Sequence, residues 1–204
     1  HYVFDKWMER THPLHPWVRY ADDGLIHCKT KEQGINILES LKNRLHECKL
    51  EIHPDKTRIV YCKDGNRNGE HEHTNFDFLG YTFRPRIARN QKGQYFSSFG
   101  PAVSAKACKS FREKIRTIRK RMANQSLEDV AGAMNPIIRG WMNYFGHFNP
   151  SRAKEELSKI NLALVRWATR KHKNLKRHLA RALDWLGVCA KESPKMFAHW
   201  AMGI

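Results

Sequence analysis

The sequence predicts an α+β fold in which β-hairpins and one helix fill residues 1–100 and an all-α, strongly basic bundle fills residues 101–204. Three observations carry this expectation. Runs rich in β-formers flank turn residues at 17–28 and 76–83, whereas apolar residues recur at helical spacing over most of 104–187. Charge divides in the same place: 16 Lys and Arg stand against 13 Asp and Glu in residues 1–100, but 21 against 7 in residues 101–204. A basic half joined to a half with an acidic hairpin suits a polyanion gripped by one part and worked on by the other.

Residues 2–9 place Val3, Phe4, Trp7 and Met8 on one helical face, and two prolines in residues 11–16 end that helix. Residues 17–28 then read as a hairpin with Asp22, Asp23 and Gly24 at its reversal. Neighbouring carboxylates repel unless a cation or solvent screens them, and oxygen ligands at a tight turn suit Mg²⁺. The alternative reading is an ordinary exposed acidic turn.

Residues 31–48 predict a helix with Ile35, Leu38, Leu41, Leu45 and Cys48 inward. Residues 50–52 and 57–61 predict strands around the turn His53-Pro54-Asp55-Lys56. Residues 63–75 read as an exposed, mobile loop, in which His71, Glu72 and His73 lack the further ligands of a metal site. Residues 76–83 read as one strand whose Gly80 marks a bulge or a close backbone approach, with 84–100 as its return.

In the basic half, Ala107, Phe111, Ile115, Ile118 and Met122 form an apolar stripe beside the cations Arg112, Arg116, Arg119 and Lys120. Ser126 and Asp129 predict a helix start, and Asn135-Pro136 a helix restart. Asn149-Pro150 caps the next helix, which faces Leu157, Ile160, Leu164 and Trp167 inward and ends among Arg166, Arg170, Lys171 and Lys173. A last helix is expected near 175–187, carrying Leu175, Leu179, Leu183 and Leu186 beside Lys176, Arg177 and Arg181, before an aromatic tail tucks against the bundle.

Five cysteines without a CxxC pair argue against a disulfide framework or zinc ribbon and for a reducing, cytoplasmic setting. No apolar run is long enough to span a bilayer, so no membrane partner is expected. A start at His1 inside a helical pattern suggests a piece of a longer protein.

Three motifs, taken together, resemble group II intron reverse transcriptases/maturases. Tyr20-Ala21-Asp22-Asp23 between apolar strands is similar to their metal-binding hairpin, Phe78-Leu79-Gly80-Tyr81 to their primer grip, and the string from Asn135 through Arg139-Gly140-Trp141 to Tyr144-Phe145 to their thumb, or domain X. The resemblance implies a partial reverse-transcriptase palm at 1–100 followed by the thumb at 101–204. It makes Asp22 and Asp23 catalytic Mg²⁺ ligands in two-metal nucleotidyl transfer. Lys56 would face the phosphates of an incoming dNTP, or be a solvent-exposed turn lysine.

Intron RNA and an RNA/DNA primer-template are the implied partners, held by Arg112, Arg116, Arg119, Lys120, Arg139, Arg166, Arg170, Lys171 and Lys173. Arg139 is also a candidate for a packed structural residue, while Trp141 and Tyr144 could stack on bases or belong to the core. Relatives carry fingers, a third aspartate and a nucleotide-binding segment upstream, so the 204 residues alone are expected to be inactive. The alternative is a non-catalytic maturase fragment that stabilises folded intron RNA.

Overall fold

A computed structural model describes residues 2–65 and 69–204. The chain forms two compact units, His1–Phe76 and Asp77–Ile204.

In the first unit a π-helical turn, Tyr2–Lys6, leads into α1 (Trp7–Thr11), whose Met8 is fully buried. The ring of Phe4 meets that of Trp17 edge-on at 5.3 Å, seating this segment on the hairpin β1 (Trp17–Tyr20) and β2 (Asp23–Ile26). Helix α2 (Lys31–Glu47) starts at Thr30, whose hydroxyl accepts from Gln33 N at 3.2 Å. Its most buried side chain is Ile37, whereas Ile35 is exposed, so the inward stripe is rotated from the expected one.

The strands expected at 50–52 and 57–61 do not form. The Pro54 turn does, with Thr57 N donating to His53 O at 3.0 Å, but its flanks find no ladder among the described residues. β-Propensity becomes a strand only where a neighbouring backbone accepts it. Ile59 instead packs against Gly34 of α2. In the following loop His71 stacks on Tyr61 at 3.8 Å; residues 66–68 of that loop lie outside the described residues.

The second unit contains β4 (Tyr81–Arg89) and β5 (Tyr95–Val103), an antiparallel hairpin, with β3 (Phe76–Phe78) on the far edge of β4. Helices α3 (Ala105–Arg121), α4 (Leu127–Phe145), α5 (Pro150–Lys171) and α6 (Leu179–Glu192) follow. Phe111 and Ile115 of α3, Met134 and Ile138 of α4, Leu157, Leu164 and Trp167 of α5, and Ala182 and Leu186 of α6 share one core. The last helix therefore begins later than expected, and Leu179 and Leu183 face solvent. The compact units divide after Phe76 rather than after residue 100, because Tyr81 is buried among Tyr144, Phe145 and Phe148 of the helical half.

Helix α4 does not restart at Asn135. Its capping box is Ser126 with Asp129, and it runs continuously through Pro136, giving up one backbone hydrogen bond. Asn135 is buried inside the helix and clamps the tail: its Nδ2 donates to Met196 O at 2.8 Å and its Oδ1 accepts from Ala198 N at 2.7 Å. Beside it, Asn161 Oδ1 accepts from Trp200 Nε1 at 2.9 Å and from His199 Nε2 at 2.8 Å, which sets the histidine tautomer and leaves its Nδ1 buried without a partner.

Burial lowers the His199 pKa from 6.5 to about 4. Because the folded value lies below the unfolded one, its contribution is complete above pH 6.5 and declines as pH falls toward 4. We expect the second unit to lose about 2 kcal/mol between pH 7 and pH 5 from this one group. Urea unfolding should show His199→Gln lacking that part of the pH dependence; an identical dependence in both proteins refutes it.

Candidate nucleic-acid interface

The acidic hairpin reverses earlier than its sequence implies. Residues 21 and 22 form the two-residue turn, Asp23 pairs with Tyr20, and Gly24 sits within β2 opposite Arg19. Ala21 takes the positive φ, +51°, where a glycine is normally favoured. Arg19 holds that strained residue in place. Its Nη1 donates to Ala21 O at 2.6 Å, while Nε and Nη2 grip both oxygens of Asp5 at 2.6 and 2.7 Å. That bidentate contact is the leading reason the Asp5 carboxyl lies below its ordinary pKa.

Asp22 and Asp23 are thereby presented to solvent from a fixed turn, and Lys56 is exposed on the Pro54 turn of the same unit. Two accessible, hard carboxylate groups fit a divalent cation that takes its remaining oxygens from water and substrate phosphates. No third His, Cys, Asp or Glu joins them in a metal-binding group among the described residues.

Phe78-Leu79-Gly80-Tyr81 is a turn between two strands rather than a bulge in one. Leu79 and Gly80 both have positive φ, +51° and +79°, the pattern a type I′ hairpin demands. A Cβ on Gly80 would stand 3.2 Å from Phe145 Cζ, so the close-approach expectation holds. Two tyrosines lock the turn to α4: Tyr144 Oη donates to Leu79 O at 2.9 Å, and Tyr81 Oη donates to Tyr144 O. Within this motif Tyr81 is core and Leu79 is exposed. Trp141 likewise stacks on Phe111 at 4.6 Å, half-buried, whereas Tyr144 stays half exposed.

The basic residues sort into two kinds. Arg112 Nη1 donates to both oxygens of the fully buried Glu156, at 3.2 and 3.0 Å, and Lys159 and Arg152 also pair with that carboxylate. Lys171 donates to Gln125 O and lies 5.1 Å from the centre of the Trp167 ring. Both cations, expected on an RNA-facing surface, thus also have partners within the bundle, although the Arg112 side chain remains exposed.

Arg116 and Arg119 of α3 and Arg166 and Arg170 of α5 are the other kind. Sequence placed them in two patches, but α3 and α5 pack together and bring them into one. Arg119 is half-buried with its Nε lacking a hydrogen-bond partner. Burial first, then the charges of Arg170, Arg166 and Arg116, lower its pKa. A guanidinium stays protonated regardless, so the cluster holds positive charge in mutual repulsion. An incoming anion relieves it. Lys120, Arg139 and Lys173 are exposed, so the packed role open to Arg139 is not the one it takes.

Residues 1–83 match the family model for reverse transcriptase (RNA-dependent DNA polymerase), and residues 108–184 match that for the group II intron, maturase-specific domain. This chain belongs to the group II intron reverse transcriptase/maturase family. No curated protein matches it. In this chain, the matched reverse-transcriptase segment contains the acidic hairpin and the Leu79-Gly80 turn, and the matched maturase-specific segment contains all four crowded arginines. The family's chemistry uses divalent metal ions and a nucleic-acid template, and its maturase domain binds intron RNA.

Sequence reasoning missed Arg19 and Glu156. Arg19 follows a tryptophan and a valine in a strand, and only its contact with Asp5, 14 residues away, shows what it does. Glu156 carried a signal: it is an acid on the inward stripe, adjacent to Leu157 and four residues before Ile160.

Two outcomes follow from this sorting. Gly80→Ala forces an L-residue into positive φ against Phe145 and should cost roughly 1–2 kcal/mol of stability. Arg112→Gln strips one partner from buried Glu156 and should cost about 1 kcal/mol, while Arg119→Gln, which removes repulsion, should cost nothing. Urea midpoints at constant m-value decide both; Arg119→Gln as destabilising as Arg112→Gln would overturn the division into paired and crowded cations.

Proposed function

We propose that this chain is the palm-and-thumb part of an RNA-directed DNA polymerase that also serves its intron as a maturase, and that Arg116, Arg119, Arg166 and Arg170 are its main grip on RNA phosphates. The convergence of these four arginines, one with a buried unpartnered Nε, is the observation that carries the RNA-binding half of the reading. Cations left uncompensated in the fold are where phosphate contacts gain most, since each neutralised phosphate also releases condensed counterions.

Asp22 and Asp23 would hold magnesium in the complete protein. When bound there, the metal supplies activation of the primer 3′-hydroxyl and stabilisation of the pyrophosphate leaving group. Lys56, exposed on its turn, would face the phosphates of a dNTP, and the exposed Leu79 side of the Phe78–Tyr81 turn would take the primer end. Alone, the 204 residues hold RNA without extending a primer, because the pair supplies fewer carboxylates than the family's metal set. A reducing, cytoplasmic setting is part of the same proposal.

Structured RNA titrated against salt tests the grip. Four phosphate contacts give a slope of about −3 in log affinity against log salt, and Arg166→Gln with Arg170→Gln should flatten it by about 1.5. An unchanged slope, with helicity preserved, removes the RNA from this face. In the complete protein, Asp22→Asn or Asp23→Asn should abolish DNA synthesis and leave RNA affinity intact; equal loss of both activities refutes the separation.

A further inference from the structure

We infer that the outer end of the β4–β5 hairpin is a second RNA contact, in which Tyr95 takes an unpaired base and the surrounding cations take the adjoining phosphates. The inference rests on the RNA-binding reading above but uses a different surface.

The two strands pair over nine positions, from Tyr81↔Val103 to Arg89↔Tyr95. At the base, Tyr81, Ala102 and Val103 are buried in the second unit. At the outer end the apolar side chains are not: Ile87 is 81 % exposed, Tyr95 73 % and Phe96 47 %. Alternation along the strands puts Ile87, Arg89 and Tyr95 on one face and Arg84, Arg86 and Phe96 on the other. Ile87 and Tyr95, both largely exposed and sharing one face with Arg89, form an apolar patch of the kind that marks an interaction site.

Charge identifies the occupant. Residues 78–112 contain seven Lys and Arg and no Asp or Glu, and Arg84, Arg86, Arg89 and Lys92 of that run lie on the hairpin. Burial and the charges of Arg84 and Arg152 lower the Arg86 pKa, and the side chain spends its donors on Gly100 O and Thr82 O. An apolar protein partner would have to cover these cations without compensation. A nucleic-acid strand brings both the phosphates and the flat rings that the surface offers to meet.

The Arg89 and Tyr95 pair is built in advance. The two are cross-strand partners, with the guanidinium carbon 5.8 Å from the ring centre and Arg89 Nε donating to Gly93 O at 3.1 Å. Gly93 has φ +83°, a conformation that favours glycine, and the Arg89 guanidinium lies over it, with Nη2 3.1 Å from where a Cβ would stand. Asn90 closes the same turn, its amide donating to Gln94 O and its Oδ1 accepting from Gln94 N, each at 2.9 Å. Such preorganisation removes ordering cost on binding. An exposed ring beside a fixed cation suits an unpaired base, since bases inside an A-form helix present no open face to a side chain.

The test uses the full chain and two labelled RNAs, a short unstructured oligoribonucleotide and a fully paired stem, followed by fluorescence anisotropy. Tyr95→Ala should weaken the unstructured RNA on the order of tenfold and leave the stem unchanged, while Tyr95→Phe retains affinity because the ring remains. Arg89→Gln should reduce the salt slope for the unstructured RNA by about one contact. Unaltered affinity for the unstructured RNA in Tyr95→Ala, or equal weakening of both RNAs, overturns the inference. The two proposals fail separately: Arg166→Gln with Arg170→Gln weakening the stem while Tyr95→Ala does nothing refutes only the hairpin, and the reverse pattern refutes only the four-arginine grip.

Discussion

Burial of the seam shared by α3, α4 and α5 is the constraint on which the rest of the second unit depends. Phe111, Ile115, Met134, Ile138, Leu157, Leu164 and Trp167 must leave water together, and that demand sets the rotation of each helix about its own axis. Once the rotations are set, the basic faces have no freedom left. Arg116 and Arg119 then meet Arg166 and Arg170 because the apolar stripes on the same helices meet. Trp167 fastens the arrangement, donating its Nε1 to Met122 O at the end of α3 at 2.9 Å. Hydrophobic burial is large enough to carry the repulsion among four guanidinium groups, which solvent and salt screen at their exposed ends.

The buried carboxylate of Glu156 settles which cations remain available. A charge with no exposed surface must be paired within the fold, and it draws Arg112, Lys159 and Arg152 to itself. From sequence, Arg112 and Arg116 look equivalent, one helical turn apart on the same basic face. The position of a single acid on the neighbouring helix makes one a structural partner and leaves the other in the crowded cluster. Counting cations along a helix therefore overstates the surface offered to RNA.

Periodicity made α2, α3, α5 and the acidic hairpin legible, and family strings made Phe78–Tyr81 and Asn135–Phe145 legible as motifs. Their physical content was less so. Asn135-Pro136 has the local form of a helix start, but the tail at Met196 and Ala198 gives Asn135 partners 61 and 63 residues away, and the core holds the helix together across the proline. Gly80 alone reads as a strand irregularity, but Leu79 shares its positive φ and the pair makes a turn. Residues 50–52 and 57–61 fail as strands for the opposite reason: local propensity is present and a ladder is not. For Asn135 the deciding neighbour is distant in sequence, whereas for Gly80 it is the adjacent Leu79.

The acidic hairpin shows the same dependence on a distant neighbour, with consequences for chemistry. Ala21 occupies a backbone conformation that favours glycine, immediately before two carboxylates. A glycine there would relax the turn but also free it, and freedom at that point spreads the directions in which Asp22 and Asp23 can present oxygens. Arg19 gives the strained conformation a hydrogen bond at Ala21 O and ties it to Asp5, so the turn is held from the strand behind it. Ligand sites gain from such preorganisation because the ordering is completed in folding rather than at binding. Strain at Ala21 and the Arg19 clamp are then two sides of one device: an alanine keeps the turn stiff, and an arginine makes the stiff turn tolerable.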